Sequence, residues 1–257
     1  MEDGRMRTLD GKVVWITGAG TGIGEAAARL LALAGMTVVL SGRRIEPLES
    51  TAASIRETGG RAEVMALDVV DRGAVFEAAA AIGRTHGRID MLFANAGINL
   101  TPRNWSDAID DPGVLEGWDA VIDANVKGVY NGVAAVLPAM RRQADGLIAV
   151  TSSWAGRFHS KVAGVAYGAS KHAVMSLSAQ VNMQEGANGI RSCAICPGEV
   201  ATPILERRPV KLTSDELEKV IQPEDIAEAV LFVARMHPRT SVHEILVAPT
   251  QMRAALT

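Results

Sequence analysis

Short apolar, β-branched runs alternate with longer amphipathic segments along almost the whole chain. The runs at 12–17 (KVVWIT), 36–41 (MTVVLS), 63–67 (EVMAL), 89–95 (IDMLFAN), 147–152 (LIAVTS), 190–196 (IRSCAIC) and 244–247 (EILV) predict seven strands. Several are apolar at consecutive positions, so both strand faces are buried, as in a parallel sheet covered on both sides. The segments between them, 25–34, 46–57, 74–84, 115–141, 167–185 and 223–235, predict helices. Regular strand–helix alternation implies right-handed crossovers. The expected fold class is α/β: a doubly wound, mainly parallel, seven-stranded sheet with helices on both faces.

Composition narrows the function more than the fold. At 257 residues, with 48% hydrophobic and 21% charged positions, the chain suits one soluble domain over 1–257, and no Pro-, Gly- or Ser-rich linker divides it. A formal net charge of -3 gives no basic footprint for nucleic acid. The longest apolar stretch, 30–40, is too short to span a bilayer, and the charged N-terminal start has no apolar signal core. These readings predict a cytoplasmic protein with no membrane or nucleic-acid partner. Cys193 and Cys196 form a C-x-x-C, but inside a strand their thiols project from opposite faces. The histidines have no metal-ligand spacing, and no metal is expected.

The glycine-rich segment Thr17–Gly24 follows the first strand and opens the first helix. Glycines in that context allow a tight turn and close approach to a diphosphate, while the helix N-terminus offers free N–H groups. Gly18, Thr21, Gly22, Ile23 and Gly24 are the candidate contacts of a Rossmann-type site, the alternative being a tight structural turn. The second strand ends in Ser41-Gly42-Arg43-Arg44, where readers of NAD usually carry a carboxylate. Arg43 and Arg44 would pair with a 2′-phosphate, which favours NADP with NAD as the alternative; a solvated helix start would look the same. Asp68, followed by Val69, would bind the adenine amine or simply cap the next helix.

With Tyr167 and Lys171 spaced as Y-x-x-x-K, the chain resembles the short-chain dehydrogenase/reductases over nearly its whole length. Thr17–Gly24 resembles that family's T-G-x-x-x-G-x-G, and Asn95-Ala96-Gly97 its N-A-G after the fourth strand. Asn125, Ser153, Tyr167 and Lys171 match its catalytic tetrad, and Pro197-Gly198 with Val200 and Thr202 its nicotinamide loop. Ser152 stays open as an alternative to Ser153, because Ser153 lies one residue further than usual from Tyr167. The C-terminal SVHEILVAPTQMR lacks the D-G-G ending common in the family and is closer to its NADP-dependent reductases of small hydroxy acids and related carbonyls.

What the resemblance implies is chemistry on a carbonyl or secondary alcohol. Tyr167 and Lys171 share one helix face. A free tyrosine titrates near ~10, and an adjacent ammonium lowers that value toward a useful acid–base. Tyr167 would exchange a proton with the substrate oxygen, Ser153 would hydrogen-bond that oxygen, and Lys171 would hold the nicotinamide ribose. Asn125 would anchor a water linking Lys171 to solvent. A structural tyrosine is the plainer alternative for Tyr167.

The substrate side is expected at 105–117 and in a lid at about 203–222, whose Arg207, Arg208 and Lys211 would attract an acidic substrate or merely be solvated. Trp154 and Phe158 would line an apolar pocket, or else pack in the core or against another subunit. The resemblance also implies a homo-oligomer, a tetramer, with 115–141 and 167–185 as contact helices. Two other function classes stay open: a lyase or epimerase using the same tyrosine with bound nucleotide, and a non-catalytic NADP(H) sensor.

Overall fold

The computed structural model describes residues 6–100, 105, 111–207 and 212–251. The apolar runs form strands β1 (Val13–Thr17), β2 (Thr37–Gly42), β3 (Arg61–Ala66), β4 (Met91–Ala94), β5 (Gly146–Thr151), β6 (Ile190–Pro197) and β7 (Glu244–Val247). They pair in parallel throughout, in the order β3-β2-β1-β4-β5-β6-β7. The chain therefore moves outward from β1 to β3, then returns past β1 and continues from β4 to β7. That reversal between β1 and β4 opens a crevice at the carboxyl ends of the strands, the place where sheets of this kind bind ligands.

Eight helices among the described residues cover the sheet: α1 (Gly22–Leu33), α2 (Ile45–Glu57), α3 (Arg72–His86), α4 (Pro112–Ile122), α5 (Gly128–Gln143), α6 (Val165–Glu185), α7 (Ser214–Lys219) and α8 (Pro223–Arg235). Val14 and Ile16 of β1 pack with α1, α2 and α8, while Val13 and Trp15 pack with α3, α5 and α6. This double burial is why the strands read as continuous apolar runs rather than alternating ones. Cys193 and Cys196 fall in the opposite cores as strand geometry requires, and burial pushes their thiols up to about 12 and about 11. Neither thiol ionises readily enough for thiolate chemistry near neutral pH.

The expected helix at 115–141 is interrupted. Between α4 and α5 the chain makes a π-helical turn, Asp123–Lys127, with Asn125 fully buried. Asn125 is drawn inward because its amide makes two bonds to the backbone of Ile98, accepting from N at 2.8 Å and donating to O at 2.9 Å. Such a single π turn shifts a side chain's direction without ending the helix. The segment expected as a lid is described at 203–207 and 212–222. It contains a 3-10 turn, Pro203–Arg207, and then α7, which a reciprocal Thr213–Glu216 capping box starts.

At the opposite, N-terminal edge of the sheet lies a buried ion network. Asp90, only 4% exposed, takes hydrogen bonds from Arg88 at 2.6 and 2.5 Å and from the Val13 amide at 2.9 Å, with Lys12 3.2 Å away. Arg7 pairs with Asp145, which also faces Arg191 at 3.5 Å. Burial pushes Asp90 up, but the Arg88 bonds, the Val13 amide and Lys12 outweigh it and hold the carboxyl below its ordinary range. Among the described residues, no helix is long and apolar enough to cross a membrane.

Candidate active site

One cavity of about 830 Å³ runs across the carboxyl ends of the strands. Its first end is built from backbone. β1 passes directly into Gly18, whose φ of +67 is left-handed and whose missing Cβ would lie 2.8 Å from the Cα of Ala96. Gly24 is required by close packing: a Cβ there would sit 2.2 Å from the carbonyl oxygen of Gly18. Gly24 does not line the cavity, whereas Gly18, Thr21, Gly22 and Ile23 do. Thr21, the N-cap of α1, is extended and makes no side-chain cap bond, so the first N–H groups of α1 have no side-chain acceptor from it.

Arg43 and Arg44 lie at the far end of the same wall. Both are exposed, and neither makes a hydrogen bond or ion pair among the described residues. Arg44 is the N-cap of α2, again without a side-chain cap bond. Asp68 and Val69 line the cavity too. One Asp68 oxygen accepts from Val70 N at 3.1 Å, and the cap of α3 is Asp71, which accepts from Ala74 N at 3.0 Å. Capping the helix is therefore not what Asp68 does.

The middle of the cavity is held by Asn95, Ala96 and Gly97. The amides of Asn95 and Ala96 donate to Thr17 Oγ1 at 3.1 and 3.2 Å, and the Asn95 side chain donates to Gly18 O at 3.1 Å. These bonds lock the end of β4 onto the glycine turn. Gly97 leaves room beside two functional groups: a Cβ there would lie 3.2 Å from Asn125 Oδ1 and 3.5 Å from Lys171 Nζ.

The second end is built from side chains. Tyr167 and Lys171 lie one turn apart on α6, and the Lys171 ammonium sits 5.4 Å from the centre of the Tyr167 ring. Lys171 is 3% exposed and donates to the carbonyl oxygen of Thr151 at 2.7 Å. Burial pulls its pKa down to about 8, against a weaker opposing pull from Cys196. Asn125 does not line the cavity; besides Ile98, its amide donates to Ser170 Oγ at 3.0 Å, bracing α6 from below.

The two serines separate clearly. Ser152 is 1% exposed, and its hydroxyl donates to the carbonyl oxygen of Lys171 at 2.9 Å. Ser153 is less buried; its hydroxyl accepts from Ala155 N at 3.1 Å, which leaves the hydroxyl proton available. Pro197, Gly198, Val200 and Thr202 close the cavity on the β6 side. Trp154 lines the cavity and stacks on Phe158 with ring centres 4.4 Å apart. Trp105 is exposed; 106–110, Arg208 and Lys211 lie outside the described residues.

Thr151 and Glu199 are among the lining residues that escape the sequence reading. Thr151 lies two positions before Ser153, so strand alternation alone puts both on one face. Glu199, a carboxylate only 3% exposed, sits inside the Pro197–Thr202 loop, where an acidic residue among apolar neighbours was the available signal.

A doubly wound parallel sheet with a glycine turn at one end of its crevice and a Tyr–Lys pair at the other defines a dinucleotide-type α/β architecture. The chain belongs to the short-chain dehydrogenase family, whose model matches residues 12–212. An uncharacterized oxidoreductase of Listeria innocua is 37% identical over 251 residues, which cover 95% of this chain and 98% of that protein. A 3-oxoacyl-[acyl-carrier-protein] reductase of Thermotoga maritima is 34% identical over 88% of this chain and 91% of its own. Among solved structures, a metagenomic short-chain oxidoreductase in complex with NADP superposes with a TM-score of 0.80 at 31% identity, covering 96% of this chain and all of that one.

Proposed function

We propose that the protein is an oxidoreductase that uses NADP(H) to interconvert a carbonyl and a secondary alcohol on a small organic substrate. The observation that carries this reading is the continuity of the cavity: the glycine turn, Arg43 and Arg44, Ser153, Tyr167 and Lys171 all line it. The residues fit a nicotinamide dinucleotide phosphate on chemical grounds. Glycines leave the backbone bare where a diphosphate would approach, the α1 N-terminus lacks a side-chain cap, and two arginines have no partner among the described residues.

When bound, the nicotinamide supplies or accepts the hydride. Tyr167 gives a proton to the carbonyl oxygen in reduction and takes it back in oxidation. The Ser153 hydroxyl donates to the same oxygen, stabilising the charge that develops there. Lys171, held in place by Thr151 O, favours the phenolate of Tyr167 and offers its remaining N–H groups to the ribose. Asn125 acts mainly through bracing, since its amide bonds Ile98 and Ser170. Leu115, Trp118 and Tyr130 on α4 and α5 and Met183 on α6 are exposed, which supports homo-oligomer contacts there. Light scattering on the purified protein tests that part.

The catalytic reading is tested by following NADPH oxidation with a panel of small ketones and aldehydes, for wild type and Tyr167→Phe. The variant should lose about 100- to 10,000-fold in turnover while binding NADPH nearly as wild type does. Equal loss of binding and turnover would show that Tyr167 is structural.

A further inference from the structure

Thr151 occupies a position from which it touches both ends of the cavity at once. It ends β5, beside β4 on one side and β6 on the other. Its carbonyl oxygen accepts from Lys171 Nζ at 2.7 Å, and its hydroxyl donates to Asn95 Oδ1 at 2.9 Å. Asn95 is thereby read from two sides. Its Oδ1 only accepts and its Nδ2 only donates, so the Thr151 hydroxyl on one atom and Gly18 O on the other fix a single orientation of the amide. Gly18 lies so close to Ala96 that a Cβ would sit 2.8 Å from its Cα, and the Gly18 carbonyl in that turn accepts from the Asn95 amide.

We propose that Thr151 is a positioning residue that couples the glycine turn to Lys171: its hydroxyl sets the Asn95 amide, and through it the shape of the dinucleotide-binding loop. This inference rests on the proposed NADP(H) reading of the cavity. Thr151 makes no claim on the reacting atoms; it acts on affinity, because the hydroxyl points toward the glycine turn while only the backbone carbonyl serves the lysine.

Valine has nearly the shape of threonine and suits a strand equally, but lacks the donor. Thr151→Val leaves Asn95 Oδ1 without its partner in a part-buried site, and the amide loses its fixed orientation. NADPH affinity, measured by fluorescence titration, should fall about 10-fold, the scale of one lost partner to a buried acceptor. Turnover at saturating NADPH should change far less, so KM for NADPH moves and kcat does not. Thr151→Ser restores the donor and should restore affinity. Thr151→Ala, which lacks the same hydroxyl, is predicted to reproduce the loss and stands in if the valine variant does not fold. Valine and alanine variants that bind NADPH like wild type, or a serine variant as weak as valine, would overturn the coupling. Wild-type protein that binds neither NADPH nor NADH would instead overturn the proposed function on which it rests.

Discussion

The two edges of the sheet treat buried charge in opposite ways. At the N-terminal edge, Asp90 is surrounded by Arg88, Lys12 and the Val13 amide, and its carboxyl stays ionised more readily than in water. At the C-terminal edge, Lys171 is just as buried, but its hydrogen bond goes to a neutral carbonyl and, among the described residues, no ion pair offsets its desolvation. Its pKa accordingly falls to about 8. A charge meant to hold strands together is given its counter-charges. The desolvated ammonium of Lys171 has no counter-charge among the described residues and lines a cavity. Perturbed, unpaired groups in a cleft mark function for this reason, whereas fully paired ones mark structure.

Mutations at the two edges should therefore fail differently. The largest effect is expected at the C-terminal edge. Ser153→Ala should cut turnover by about 100- to 1,000-fold, as loss of a donor to a developing oxyanion does elsewhere. Ser152→Ala should spare most turnover and lower stability instead, because it removes the donor to Lys171 O. Steady-state rates beside thermal melts of both variants decide the pair. If Ser152→Ala were the inactive one, the direction of the two hydroxyls would be assigned wrongly.

Next in size is Asp90→Asn. Removing one partner of a buried ion pair costs about 3–5 kcal/mol, and Arg88 and Lys12 can still reach solvent, which places this site at the low end. Tm should drop by about 10 °C while NADPH affinity at room temperature stays as in wild type. The sign with pH follows from the depressed carboxyl. The stabilisation is present above the unfolded pKa and fades as pH falls through the folded value, so the gap to wild type narrows in acid.

The smallest effect is on the pH dependence of stability at Lys171. Its pKa falls from 10.5 in the unfolded chain to about 8 in the fold, so the unfolded state binds the extra proton between those values. Lys171 should therefore make stability rise from about pH 8, until above about 9 the raised thiols of Cys193 and Cys196 oppose it, and Lys171→Met should erase the rise between about 8 and 9. Melting curves across that window read it directly. In wild type, reductase activity should decline above about pH 8, as the ammonium beside Tyr167 is lost.

How much of this was readable in advance depended on whether the contact was local. Strand periodicity gave seven strands and their two-faced burial, because alternation is a property of neighbouring residues. The Y-x-x-x-K pair was found through its resemblance to the family motif, and helical spacing added only that the two side chains share one face. The π turn at Asp123–Lys127 could not be read, since it exists to bring Asn125 to the backbone of Ile98, far away in sequence. Ser152 and Ser153 looked alike until α6 was in place, when Lys171 O captured one of them. Thr151 went unnoticed for a similar reason: a threonine closing a strand is unremarkable until Asn95 and Lys171 arrive on either side. For Gly24 the structure adds a packing reason that the sequence did not carry: a Cβ there would sit 2.2 Å from the Gly18 carbonyl oxygen.

The central claim is that the C-terminal edge of the sheet binds a nicotinamide dinucleotide and reads its 2′-phosphate with Arg43 and Arg44. The measurement that tests it most directly is a fluorescence titration with NADPH and NADH, on wild type and on Arg43→Ala/Arg44→Ala. The account predicts that wild type prefers NADPH and that the double variant loses about 10-fold or more in NADPH affinity with little change for NADH. Equal binding of both cofactors by wild type, unchanged in the variant, would contradict it.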